Sequence, residues 1–165
     1  MRALNVAGAP TAAIPQGGQE LSHGLLPQIL GYHLRQTQVA IFRHFSRTVA
    51  AEEDITPGLF GMLQVIAANP GLAQSRLAEA MEVDRSTIVK VVDQLEERDL
   101  IVREPSPNDK RSYCLRLTEE GCKALRRMET LVLRHEDEFT KALSADERQL
   151  LIGLLMRLYN KTKFD

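Results

Sequence analysis

The sequence predicts a mainly α-helical fold that carries one small β-hairpin. Three observations predict it. Apolar residues recur at helical spacing in successive stretches of the chain. Tyr113, Leu115 and Leu117 instead alternate with Cys114 and Arg116, the period of a strand. The cluster Pro105-Ser106-Pro107-Asn108-Asp109 lies between that stretch and Leu100-Ile101-Val102-Arg103, so two short strands flank a polar turn.

The elements follow in order. Residues 1–20 hold Ala, Gly, Pro and Gln with little to bury and read as a flexible tail. Residues 25–50 read as one long helix, with Leu26, Leu30, Leu34, Phe42, Phe45 and Val49 at helical spacing. Thr56 is placed to cap the next helix, with Pro57 at its first position, and Asn69-Pro70-Gly71 stops it. A shorter helix is expected from Leu72-Ala73, with its body over 74–81 and Leu77, Ala78 and Met81 on one face. Asp84 caps another, whose apolar stripe is Ile88, Val92 and Leu95, widened by Val91. After the hairpin, Thr118-Glu119-Glu120 opens a long helix with its acids at the positive end, running to about residue 142. Ser144-Ala145-Asp146-Glu147 is a capping box for the last helix. That helix is apolar almost all round and calls for a partner chain as cover.

Composition bounds the function. The 165 residues (18.5 kDa) suffice for one core plus a tail, and 44% hydrophobic with 26% charged residues is ordinary globular usage. Lys and Arg number 21 against 22 Asp and Glu, a net charge of -1, so any field that attracts DNA must be local. No apolar run reaches the roughly 20 residues of a membrane span, and the N-terminus lacks the apolar core of a signal peptide. A cytoplasmic protein with no membrane partner is expected. Cys114 and Cys122 lack a CxxC spacing and are expected to stay reduced.

The order helix, short helix, tight turn, helix, hairpin is that of a winged helix-turn-helix. In its second helix, Ser86, Thr87 and Lys90 share the face opposite Ile88, Val92 and Leu95. The first half, from Arg85 to Val92, has two positive charges and no acid, whereas Asp93, Glu96, Glu97 and Asp99 fill the second half and its end. Positive charge thus sits where the helix would enter a major groove, with hydroxyls able to approach base edges or phosphates. Taken alone, the helix reads more readily as a core helix with a solvated polar face. The hairpin tip changes that balance. Asn108-Asp109-Lys110-Arg111 puts two cations at an exposed turn, suited to a narrow minor groove, with Asp109 positioned to orient Arg111.

Leu77-Ala78, Asp84-Arg85-Ser86-Thr87, Leu95-Glu96-Glu97-Arg98-Asp99-Leu100-Ile101, Asp109-Lys110-Arg111-Ser112 and Leu117-Thr118-Glu119-Glu120-Gly121 together resemble the MarR family of bacterial transcriptional regulators. The resemblance extends over about residues 25–162 and is strongest at 72–121. It implies a homodimer whose first and last helices form the dimerisation region, a recognition helix in the major groove and a wing in the minor groove. Arg111 matches the wing arginine and Asp109 the acid beside it. The implied organisation is dimerisation helix 21–50, DNA-binding lobe 51–118 and C-terminal dimerisation helices 119–165. Glu82 and Asp99 stand where the family often has Gly, which implies left-handed backbone there.

The resemblance also implies an effector pocket for anionic aromatic compounds, in some members acyl-CoA thioesters. Residues 25–50 contain no acid but hold His33, Arg35, Arg43, His44 and Arg47, which leaves cations without local partners. They read either as a clamp for carboxylate or phosphate, or as interchain or cross-helix ion pairs with acids of 129–138. Tyr32, Phe60 and Leu63 are candidates for an apolar slot. No cofactor or metal is expected, and HExxH, P-loop and GxGxxG motifs are absent from the sequence. The expected function is a ligand-responsive, non-enzymatic regulator that binds double-stranded DNA, read as a repressor released from a pseudo-palindromic operator. A helical interaction module without sequence-specific DNA binding is the alternative.

Overall fold

The computed structural model describes residues 21–106 and 113–162. The chain divides into two compact units, residues 1–36 and 37–165. In the first, a 3-10 turn at Leu26–Gln28 precedes helix α1, Leu30–Thr48, which continues into the second unit. The expected single helix over 25–50 is therefore interrupted: Ile29 is extended, with φ −104° and ψ 118°. The Tyr32 hydroxyl accepts from Gln36 at 2.8 Å, and His33 Nε2 donates to the Pro27 carbonyl at 2.8 Å, so both rings serve the local turn.

In the second unit, α2 (Ala50–Glu53) ends at Asp54 in the left-handed region, with φ 47°. Helix α3 (Pro57–Ala68) starts as predicted, with the Leu59 amide donating to Thr56 Oγ1 at 3.2 Å. The short helix α4 is Gln74–Ala80, and α5 is Arg85–Glu97. Between them Glu82 has φ 53°, and after α5 Asp99 has φ 54°. Both carry the left-handed turns that glycine makes at no steric cost.

Leu72 and Ala73 do not open a helix. They form strand β1, antiparallel to β3 (Tyr113–Leu117), which also pairs with β2 (Ile101–Pro105). The hairpin is thus part of a three-stranded sheet of order β1-β3-β2, with Leu72 opposite Leu115 and Ile101 opposite Leu117. A strand of two residues has no period to read in sequence.

Helix α6 (Glu119–Thr140) begins with the Gly121 amide donating to Thr118 Oγ1 at 2.8 Å. The same hydroxyl donates to the Asp99 carbonyl at 2.5 Å, and the Thr118 amide to the Leu100 carbonyl at 3.1 Å. A Cβ at Gly121 would lie 1.9 Å from the Leu100 carbonyl oxygen, so the backbones meet at a distance only glycine permits. The Leu-Thr-Glu-Glu-Gly sequence joins wing to helix through these contacts. Helix α7 (Ala145–Thr162) carries the predicted capping box, with the Ser144 amide donating to Glu147 at 2.8 Å.

The core gathers Phe45, Val49, Ile55, Leu63, Ile66, Leu77, Ile88, Val92, Leu95, Ile101, Leu115 and Met128. The predicted stripe of α5 is its inward face. Helix α7, by contrast, leaves Leu150, Leu151, Leu154, Leu155, Leu158 and Tyr159 exposed in the single chain. No described helix is long and apolar enough to cross a membrane.

Candidate nucleic-acid interface and effector cavities

The exposed end of α5 is organised by Asp84. Its Oδ1 accepts the Thr87 amide at 2.8 Å and the Ser86 hydroxyl at 2.6 Å, and its Oδ2 accepts the Thr87 hydroxyl at 2.7 Å. The Ser86 hydroxyl foremost, then the Thr87 amide and hydroxyl, hold this carboxyl far below the usual carboxylate range. Each hydroxyl spends its only proton on Asp84 and presents lone pairs outward. Ser86 is therefore an acceptor at the helix tip, complementary to the amino groups of adenine or cytosine in a major groove.

Arg85 and Lys90 are exposed, as the sequence implies. Val89 is also exposed, at 45%, one turn beyond Arg85. It carries neither charge nor hydroxyl, and an apolar side chain there is suited to a thymine methyl. The acids in the second half of α5 have a partner from the sheet. Arg103 of β2 ion-pairs with both Asp93 and Glu96, and its amide donates to Glu96 Oε1 at 3.3 Å. This bond set locks α5 to β2 and offsets one of the two negative charges of Asp93 and Glu96. On the wing, Arg116 pairs with Glu104 at 2.7 Å. Asp109, Lys110 and Arg111 lie outside the described residues, as does the tail at 1–20.

Two cavities open beside α6. One, about 180 Å³, is lined mainly by apolar groups, among them Ile41, Phe42, Phe45, Phe60 and Val132. The other, about 240 Å³, is lined by Arg47, Glu52, Arg134 and Glu138 among others. His135 lines both. Arg43, Arg47 and Arg134 make no ion pair within the chain among the described residues, so cross-helix pairing with acids of 129–138 is not found for Arg43 and Arg47. His44 does meet that stretch: its Nε2 lies 3.7 Å from Glu138, and its Nδ1 lies 2.6 Å from Nδ1 of His135. Leu63 is wholly enclosed in the core and lines neither cavity. Tyr32, His33 and Arg35 belong to the first unit.

His135 and Arg134 were not anticipated. His135 is 91 residues from His44, so no local spacing relates them. It is 4% exposed and packs edge-on to Phe45 and against Phe139. Burial first, then the neighbouring His44, push its pKa down. Cys114 is buried in β3 and Cys122 half-buried in α6, and both are free thiols. Among the described residues, no cluster of three or more His, Cys, Asp or Glu is arranged for a metal.

A helix-turn-helix whose second helix offers hydroxyl, cation and methyl groups, clamped to a β wing, defines a winged-helix DNA-binding transcriptional regulator. The MarR family model matches residues 55–113. A Thauera aromatica protein, named as a candidate transcriptional regulatory protein for the hcr operon, is 58% identical over 142 residues, 86% of each chain. The structure of the transcriptional repressor CouR bound to a 23-mer DNA duplex superposes with a TM-score of 0.82 at 38% identity, over 86% of this chain and 99% of that one. CouR bound to p-coumaroyl-CoA gives 0.77 at 37% identity, over 85% and 98%. The chain belongs to the MarR family of transcriptional regulators.

Proposed function

We propose that the protein is a cytoplasmic, homodimeric repressor, acting by binding and not by catalysis, that an anionic aromatic ligand releases from its operator. The apolar cavity beside a cavity with two arginines, Arg47 and Arg134, that make no ion pair among the described residues is the observation that carries the ligand. A ring fits the first and a carboxylate or the phosphates of a CoA thioester the second, with Arg43 as a further cation. CouR, similar over most of this chain, has been solved with p-coumaroyl-CoA, which supports an aromatic thioester.

Helix α7 supports the dimer. Its apolar side chains are exposed along the single chain, and a second copy provides the cover they need. In this reading 21–50 and 119–165 dimerise and 51–118 binds DNA. Arg85, Ser86, Thr87 and Lys90 of each α5 enter successive major grooves about 34–36 Å apart. Lys110 and Arg111, the latter oriented by Asp109, reach the flanking minor grooves. Ligand releases DNA only through its different affinity for the two spacings of the recognition helices.

The test is fluorescence anisotropy with DNA from upstream of this protein's own gene, against scrambled DNA, at two salt concentrations. Selective binding weakened by p-coumaroyl-CoA in wild type, and unresponsive to it in Arg47→Ala, is the expected result. Selective binding indifferent to every aromatic acid and thioester tried removes the ligand. Equal binding to both DNAs removes the operator.

A further inference from the structure

We propose that the His44–His135 pair is part of the ligand site and takes up one proton when an anionic aromatic ligand binds, with His135 Nε2–H donating to the ligand's carboxylate or thioester oxygen. The inference rests on the effector reading above and names a contact and a coupling within that site.

The argument is a count of protons. The two Nδ1 atoms are 2.6 Å apart, so one proton lies between them. A neutral pair has one proton left for two Nε2 atoms. Glu138, 3.7 Å from His44 Nε2, draws it there. His135 Nε2 is then a bare lone pair, and it has no hydrogen-bond partner among the described residues. His135 borders both cavities, so a molecule with its ring in one and its anionic end in the other would run alongside this residue.

A bare lone pair repels a carbonyl or carboxylate oxygen, whereas N–H binds it. One added proton supplies that N–H and leaves the shared proton and the His44 Nε2–H in place. His135 itself favours the neutral form, because burial first and then the neighbouring His44 oppose its charge. The surroundings are finely balanced: Arg47 from α1 and Arg134 from α6 are cationic, while Glu52 from α2 and Glu136 and Glu138 from α6 are acidic. Glu136 is itself paired with Arg148 at 3.1 Å. An arriving anion tips this balance towards protonation.

Histidine-ring ¹⁵N NMR reads the step directly, because bare, protonated and shared nitrogens resonate apart. The chain has four histidines, which single variants assign. Saturation with p-coumaroyl-CoA, or with 4-hydroxybenzoyl-CoA or benzoyl-CoA if calorimetry shows that they bind instead, is expected to move His135 Nε2 from bare to N–H. His135→Gln, which carries a permanent donor near that position, should retain binding. Its affinity should lose the extra pH dependence of wild type, which weakens by up to about tenfold per pH unit between the free pair's pKa and the bound pair's pKa. Thioester binding with His135 Nε2 still bare, or equal pH dependence in wild type and His135→Gln, overturns the proposal and leaves the effector reading intact. If calorimetry detects none of the three thioesters, the effector reading fails and the proposal with it.

Discussion

The Leu100 carbonyl oxygen lies where a side chain on Gly121 would have to go, 1.9 Å from the position of its Cβ. This contact fixes the start of α6 against the base of the wing. Gly121→Ala should destabilise the fold by about 2–3 kcal/mol, in spite of alanine's better helix propensity. Urea unfolding measures it, with Gly58→Ala as the control, because a Cβ there meets nothing closer than 3.9 Å. Similar midpoints for the two variants would mean that wing and helix yield easily.

The wing arginine is testable through salt. Arg111→Ala should weaken operator binding and lower the slope of log affinity against log salt by about one unit, as for one lost phosphate contact. Titrations over several salt concentrations decide it. An unchanged slope and affinity would take Arg111 out of the interface.

Val89 offers a cleaner test of base reading. Replacing thymine by uracil in the operator, one position at a time, should cost about 0.8 kcal/mol at the position that Val89 touches. The same replacement should cost Val89→Ala protein nothing. A uniform response in both proteins would assign Val89 to the surface alone.

Helix α7 predicts assembly. Leu154 and Leu158 are 44% and 45% exposed in the single chain. Leu154→Glu combined with Leu158→Glu should give a monomer by sedimentation velocity, with operator affinity lost as the second half-site contributes nothing. A double variant that sediments as a dimer would place the interface elsewhere.

Stability should depend on pH through His135. Its folded pKa is depressed below the ordinary value, chiefly by burial, so the unfolded chain binds protons more readily. Stability contributed by the neutral ring is present above about pH 6.5 and is lost as pH falls towards the folded pKa. Denaturant midpoints at pH 7.5 and 5.5 should differ more in wild type than in His135→Gln. Equal differences would assign the acid sensitivity to other groups.

Much of this architecture can be read from local chemistry. Thr56, Asp84, Thr118 and Ser144 cap their helices because a short oxygen-bearing side chain meets the first free amides in each case. Ile88, Val92 and Leu95 announce the inward face of α5 by spacing alone. The misses share a different cause. β1 exists only because β3 lies beside it. Arg103 reaches its acids across a turn, and His135 meets His44 across most of the chain. Such pairs are products of the fold, and no window of sequence contains them.

Asp84, Ser86 and Thr87 also have a consequence for divergence among paralogues. One carboxylate holds both hydroxyl protons, so a change at Asp84 reverses the hydrogen-bonding character of two neighbours that have not themselves mutated. The three positions form a single epistatic unit. With Ser86 and Thr87 at the proposed DNA contact, operator preference would shift in one substitution and be refined at the other two, and their effects in a mutational scan would not add.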